Sequence, residues 1–221
     1  MQGHFEIGAY HAPGLTEATL LDALGPVAER KPGSVLDFLS QYEKTQEVKG
    51  QNLVMEIFAG CMFNAIFGSA GGMPNAYGRN EDGGVLGLIN LSNNDAEPAY
   101  TGERSGDPYY QFHYPANSVG DGASKRFIND DIEPYIISEA SDGQEAITLR
   151  CRWLYLPAQA VSSIIRSLTV WFMDTPTDTG SNYCGRIARI RLKDSGGNPI
   201  EINKTADITL FVEYRFTLIT V

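Results

Sequence analysis

The chain is poor in the residues on which most small-molecule chemistry is built. It has three histidines and three cysteines in 221 residues. The cysteines, Cys61, Cys151 and Cys184, are far apart, odd in number and form no C-x-x-C or zinc spacing. They read as small buried hydrophobes of a chain made in a cytoplasm. No G-x-S-x-G elbow, phosphate-binding glycine loop or H-E-x-x-H is present. His4 and His11 fall near the start, and His113 lies among Tyr109, Tyr110, Phe112 and Tyr114 in what reads as a packed loop. The expectation is no enzyme, no catalytic residue, no cofactor and no metal. Asn80–Asp82, Asn93–Asp95 and Asn129–Asp131 carry oxygen ligands but miss the calcium-loop spacing, and turn chemistry accounts for them.

Positive charge is also scarce. Seventeen Lys and Arg stand against 27 Asp and Glu, a formal net charge of −10. Phosphate backbones need a basic face, so nucleic acid is not an expected partner. The basic cluster Arg186, Arg189, Arg191 and Lys193 reads as the solvated side of a strand. No run approaches the roughly 20 apolar residues of a membrane span. The opening MQGHFEIGAYHAPG has neither a basic nor an apolar leader region, so no targeting segment is expected.

What the chain does have is 43% hydrophobic and 10% aromatic residues, the composition of a folded globular protein with a sizeable core. Its most regular stretch comes last. From Ile208, alternate residues Ile208, Leu210, Val212, Tyr214, Phe216 and Leu218 make one face, and Thr209, Phe211, Glu213, Arg215, Thr217 and Ile219 the other. That period of two predicts a strand with one side on a core. It is either central in a sheet or paired with something outside the chain.

Residues 1–45 read as an N-terminal docking arm. They carry Pro13, Pro26 and Pro32 and two short amphipathic pieces. In LTEATLLDAL, Thr16 can cap, Leu20, Leu21 and Leu24 form a stripe, and Gly25 and Pro26 stop the helix. In SVLDFLSQYEK, Ser34 can cap, and Val35, Phe38, Leu39 and Tyr42 share a face. Helices this short need a surface to pack on, so the arm is expected to dock on its own domain or on a neighbour.

Residues 46–221 read as one domain. Gln51–Gly68 is apolar almost all round and predicts a buried helix. Residues 68–131 read as long loops with short strands at Val85–Leu91 and Tyr109–Tyr114. Beyond Asp131, strands are predicted at Tyr135–Ser138, Ile147–Leu156, Ser163–Met173, Arg186–Lys193 and Ile200–Asn203, with Asp194–Pro199 a turn whose two glycines take positive φ. The fold expected is mainly β: an antiparallel β-sandwich with one buried helix and an extended, partly helical N-terminal arm.

G-x-N-L-V opening Gln51–Gly68 and the final KTADITLF strand resemble small β-sandwich structural proteins of tailed-bacteriophage virions, over Glu47–Val221. The family's Ile-x-Glu-x-Gly-Leu strand is replaced here by SIIRSLTVWF. The resemblance implies an oligomeric tail, neck or collar component that joins tail parts or anchors fibres. Its partners would be copies of itself, other tail or neck proteins and a tail fibre. It would be made in the host cytoplasm and reside in the virion. Interface candidates are Leu20, Leu24, Phe38 and Tyr42 in the arm, Phe211, Glu213 and Arg215 on the last strand, and the loop residues Tyr109 and Tyr110. The alternative is a carbohydrate-binding β-sandwich module that recognises a receptor through Tyr100, Tyr109, Tyr110 and Tyr114.

Overall fold

The computed structural model describes residues 2–53, 86–93, 124–126, 136–137, 146–161, 163–173 and 184–219. These are mainly β, in antiparallel sheets with few helices. The strands are β1 (Gln2–His11), β2 (Glu43–Leu53), β3 (Leu86–Ser92), β4 (Ser124–Arg126), β5 (Ile136–Ile137), β6 (Ala146–Tyr155), β7 (Ser163–Ile165), β8 (Ser167–Met173), β9 (Cys184–Arg191), β10 (Ile202–Lys204) and β11 (Ile208–Ile219). One sheet has the order β2-β1-β11-β6-β5, a second β4-β3-β8-β9, and β10 pairs with β7.

The terminal stretch is the middle strand of the larger sheet. Residues Ile208 to Thr217 of β11 pair with β1, and Leu210 to Ile219 pair with β6. Both edges of β11 are therefore occupied within the chain. Its even face supplies Leu210, Val212, Tyr214 and Phe216 to a core that also takes Phe5 and Ile7 from β1 and Cys151, Trp153 and Tyr155 from β6. Ile89, Leu91, Leu168, Val170 and Ile190 from the four-stranded sheet join the same cluster. The Cys151 thiol, 2% exposed, is pushed up to about 12 by burial, which keeps it protonated and unreactive.

The first residues do not run outside the sheet. Phe5, Ile7 and Ala9 alternate with His4, Glu6 and Gly8, and this period of two places β1 between β11 and β2. The segment expected as an arm thus contributes an internal strand followed by a helical layer. In that layer α1 covers Glu17–Leu24, a 3-10 turn Val27–Glu29 and α2 Ser34–Leu39. Thr16 caps α1 as expected, its Oγ1 accepting from Thr19 N at 3.2 Å, and Gly25 ends it at φ +73°. Ser34 does not cap α2. Gly33 holds the cap position in the left-handed region without a side-chain hydrogen bond. The second helix also stops at Leu39 rather than reaching Lys44, because β2 begins at Glu43 and pairs with β1.

Three further expectations differ. Gln51–Leu53 is the end of β2, not the start of a helix, and the remainder of the predicted buried helix lies outside the described residues. Ser163–Met173 is two strands, not one. It breaks at Arg166, whose N–H donates to Ser92 O and whose carbonyl accepts from Leu192 N, both at 2.9 Å. At Asp194–Pro199 only Gly197 has positive φ, and the Asp194 carboxylate organises the turn by accepting from Gly196 N and Asn198 N. The strand that follows the turn, β10, covers Ile202–Lys204 and pairs with β7.

Candidate interaction face

The outer face of the five-stranded sheet, opposite the core just described, has two halves. On one half Tyr10, Leu154 and Phe211 lie under the helical layer and pack with Leu15, Leu20, Val35 and Leu39. Leu24, Phe38 and Tyr42 pack against this second cluster, with the Phe38 and Tyr42 rings edge-on at 5.9 Å. Burying each such side chain contributes about 1.5–3 kcal/mol. The structure therefore brings five of the residues expected at an interface, Leu20, Leu24, Phe38, Tyr42 and Phe211, into one cluster inside the chain. The helices are held by their own sheet.

The other half is charged. Strand register lines up Lys49, Glu6, Glu213 and Arg152 in one row across β2, β1, β11 and β6, and Gln51, His4, Arg215 and Arg150 in the next. Glu213 is the centre, 4% exposed. Arg152 Nε donates to its Oε2 at 2.7 Å, Arg215 pairs with its Oε1, and Arg150 Nε lies 3.9 Å from Oε2. Arg152 also lies over the Phe211 ring, 5.9 Å from its centroid, and so joins the two halves. Toward the edge, Lys49 lies 3.4 Å from Glu6 and 3.2 Å from Glu47, and Lys44 Nζ donates to Glu47 at 2.6 Å. The Glu47 contact raises the pKa of both lysines, and Lys44 lowers that of Glu47.

Between these rows runs a groove of about 280 Å³ lined by His4, Glu6, Lys49, Gln51, Glu213 and Arg215. Glu213 and Arg215 thus meet the expectation that they share an outward face. Sequence reasoning missed His4, Glu6 and Lys49, although the alternation in HFEIGA was a usable signal for the first two. Tyr100, Tyr109, Tyr110, His113 and Tyr114 lie outside the described residues. Among the described residues no group of three or more His, Cys, Asp or Glu side chains is placed to hold a metal ion, and no helix is long and apolar enough to cross a membrane.

A second polar feature sits at the end of β10, just before the last strand. Lys204 is fully buried, and its Nζ donates to Leu156 O, Pro157 O and Thr205 O at 3.0, 3.1 and 3.2 Å. Three ammonium protons meet three carbonyls, which ties the turn after β6 to the entry of β11. Burial pushes the ammonium down to about 8. Comparison with protein-family models, with curated proteins and with solved structures returns no match to this chain.

Proposed function

We propose that this chain is a structural, non-catalytic subunit of a tailed-bacteriophage virion, a self-associating tail or neck component that joins tail parts or anchors fibres. The observation that carries the reading is the KTADITLF segment on which the resemblance rests. Its lysine is the buried Lys204, and its strand is the centre of the larger sheet. We further read the two larger sheets as the layers of an antiparallel β-sandwich, which the shared core of Trp153, Tyr214, Ile89 and Leu168 supports. Such a subunit works by burying surface against copies of itself and its neighbours, and the charged face offers a surface for it.

The test is made on particles. Tailed particles are purified on a density gradient from cells that express the chain and are probed with an antibody raised against it. The reading expects the chain to co-purify at a fixed copy number per particle and to remain after a high-salt wash. Recovery only in the soluble fraction, with complete particles lacking it, would sink the reading.

A further inference from the structure

The two halves of the outer face carry opposite charge. The helical layer turns Glu17, Asp22, Glu29 and Asp37 to solvent. Lys31 is the exposed cation on that stretch, while Arg30 is buried with its Nε on Gly25 O at 3.0 Å. Among these acids Leu21 is 52% exposed, one helical turn after Glu17 and beside Asp22. On the charged half, the cations Lys49, Arg150, Arg152 and Arg215 outnumber the carboxylates Glu6, Glu47 and Glu213, and Lys44 lies at the boundary over the Tyr10 ring. In a chain of formal net charge −10, this is a local excess of positive charge. The Arg215 side chain is 42% exposed, so one edge of its guanidinium serves Glu213 while other donors face outward.

We propose that this face binds a second copy of the same chain about a two-fold axis, the helical layer of each copy seated on the charged groove of the other. The proposal rests on the reading of the chain as a self-associating subunit and names the surface it would use. Both members of the contact lie on one face, at opposite ends of the same strands. A two-fold axis between them satisfies both contacts at once and closes the assembly. Leu21 enters the groove, which at about 30 Å³ per water would otherwise hold roughly nine waters. Glu17 and Asp22 then meet Arg215 and Lys49. The apolar anchor supplies the burial, and the charged rim selects the partner and the orientation.

Sedimentation velocity on the full chain tests this, with two sets of variants. Glu17→Lys with Asp22→Lys reverses the helical layer, and Arg215→Glu reverses the groove. At about 0.1 M salt the wild-type chain pairs, and the pair weakens by about tenfold or more near 1 M, where the screening length falls from about 10 Å to about 3 Å. Each variant alone pairs at least about tenfold more weakly, and mixing the two restores pairing, because each mixed dimer holds one wild-type and one swapped contact. Should circular dichroism show that Arg215→Glu disturbs the fold, Lys49→Glu on the exposed edge takes its place. Self-association that ignores both reversals, or a mixture that stays unpaired, overturns this interface and leaves self-association standing. A chain that stays monomeric at every concentration overturns the interface and the self-association reading together.

Discussion

Glu6 and Glu213 stand directly opposite each other on β1 and β11, two carboxylates on one face. Like charges in that position are destabilising on their own. They coexist because each is paired with cations, Glu213 with Arg152 on the next strand and Arg215 two residues along its own, Glu6 with Lys49 on β2. The two differ in burial, and so in what removing them does. Glu213 and Arg152 have side chains only 5% and 11% exposed, so Glu213→Gln strands buried guanidinium charge and lowers stability by about 3 kcal/mol. Glu6→Gln loses one weak contact to a half-exposed lysine and one repulsion, and stays within about 0.5 kcal/mol of wild type. Urea unfolding midpoints check both. Adding Arg152→Met to Glu213→Gln removes the stranded charge and recovers part of the loss.

Lys204 makes stability depend on alkaline pH. Its ammonium titrates near 8 in the folded chain against an ordinary value of 10.5. Below about 8 both folded and unfolded chains hold the proton, and the contribution is flat. Between about 8 and 10.5 the unfolded chain binds more protons than the folded one, so stability rises with pH. Chemical unfolding of the wild type and of Lys204→Met across that window isolates the effect. The difference between them shifts in favour of the wild type as pH rises through 8; a flat difference would show that the three carbonyls hold the proton to higher pH.

Two glycines of the sheet lie under aromatic rings. A Cβ on Gly50 would sit 2.5 Å from Phe5 Cε1, and one on Gly8 would sit 2.8 Å from Tyr10 Cε2. Neither gap admits a methyl group without moving the ring. Phe5 is wedged in the main core at 6% exposure, so Gly50→Ala costs about 1–3 kcal/mol. Gly8→Ala displaces Tyr10 from the helical cluster and loosens that layer. Thermal unfolding reads the first, and proteolysis between α1 and α2 reads the second. Phe5→Leu added to Gly50→Ala recovers part of the loss.

Removing residues 1–13 leaves ten register positions of β11 and ten of β2 without their partner. The unpaired edges and the exposed faces of Val212 and Val48 cannot be covered from elsewhere in the sheet. The shortened chain is expected to lose its cooperative unfolding transition and to aggregate. A shortened chain that still unfolds cooperatively would show that β1 is an accessory strand.

The sequence was legible where burial and periodicity coincide. Residues 208–216 and 150–155 alternate, because one face of each is core and the other carries arginines or meets the helical layer. Thr16 and Gly25 are short-range signals and marked the ends of α1. β1 carries the same alternation, but the Pro and Gly residues that follow it suggested an arm. β2 offered little to read, since an edge strand can be polar along most of its length and buries Val48 in a run of Glu, Lys, Thr and Gln. The break at Arg166 has no sequence signature. It arises where β7 leaves for β10 while β8 stays with β3 and β9, a decision made by the sheets. Glu213 and Arg215 were visible as an outward pair, but the rows that give them His4, Glu6 and Lys49 depend on a register that no single strand contains.

The measurement that bears most directly on the account is the mass of the purified chain by light scattering, over a range of concentrations at low salt. The account predicts a mass that climbs from 24.2 kDa toward at least twice that value as concentration rises. A mass held at 24.2 kDa at every concentration would contradict it.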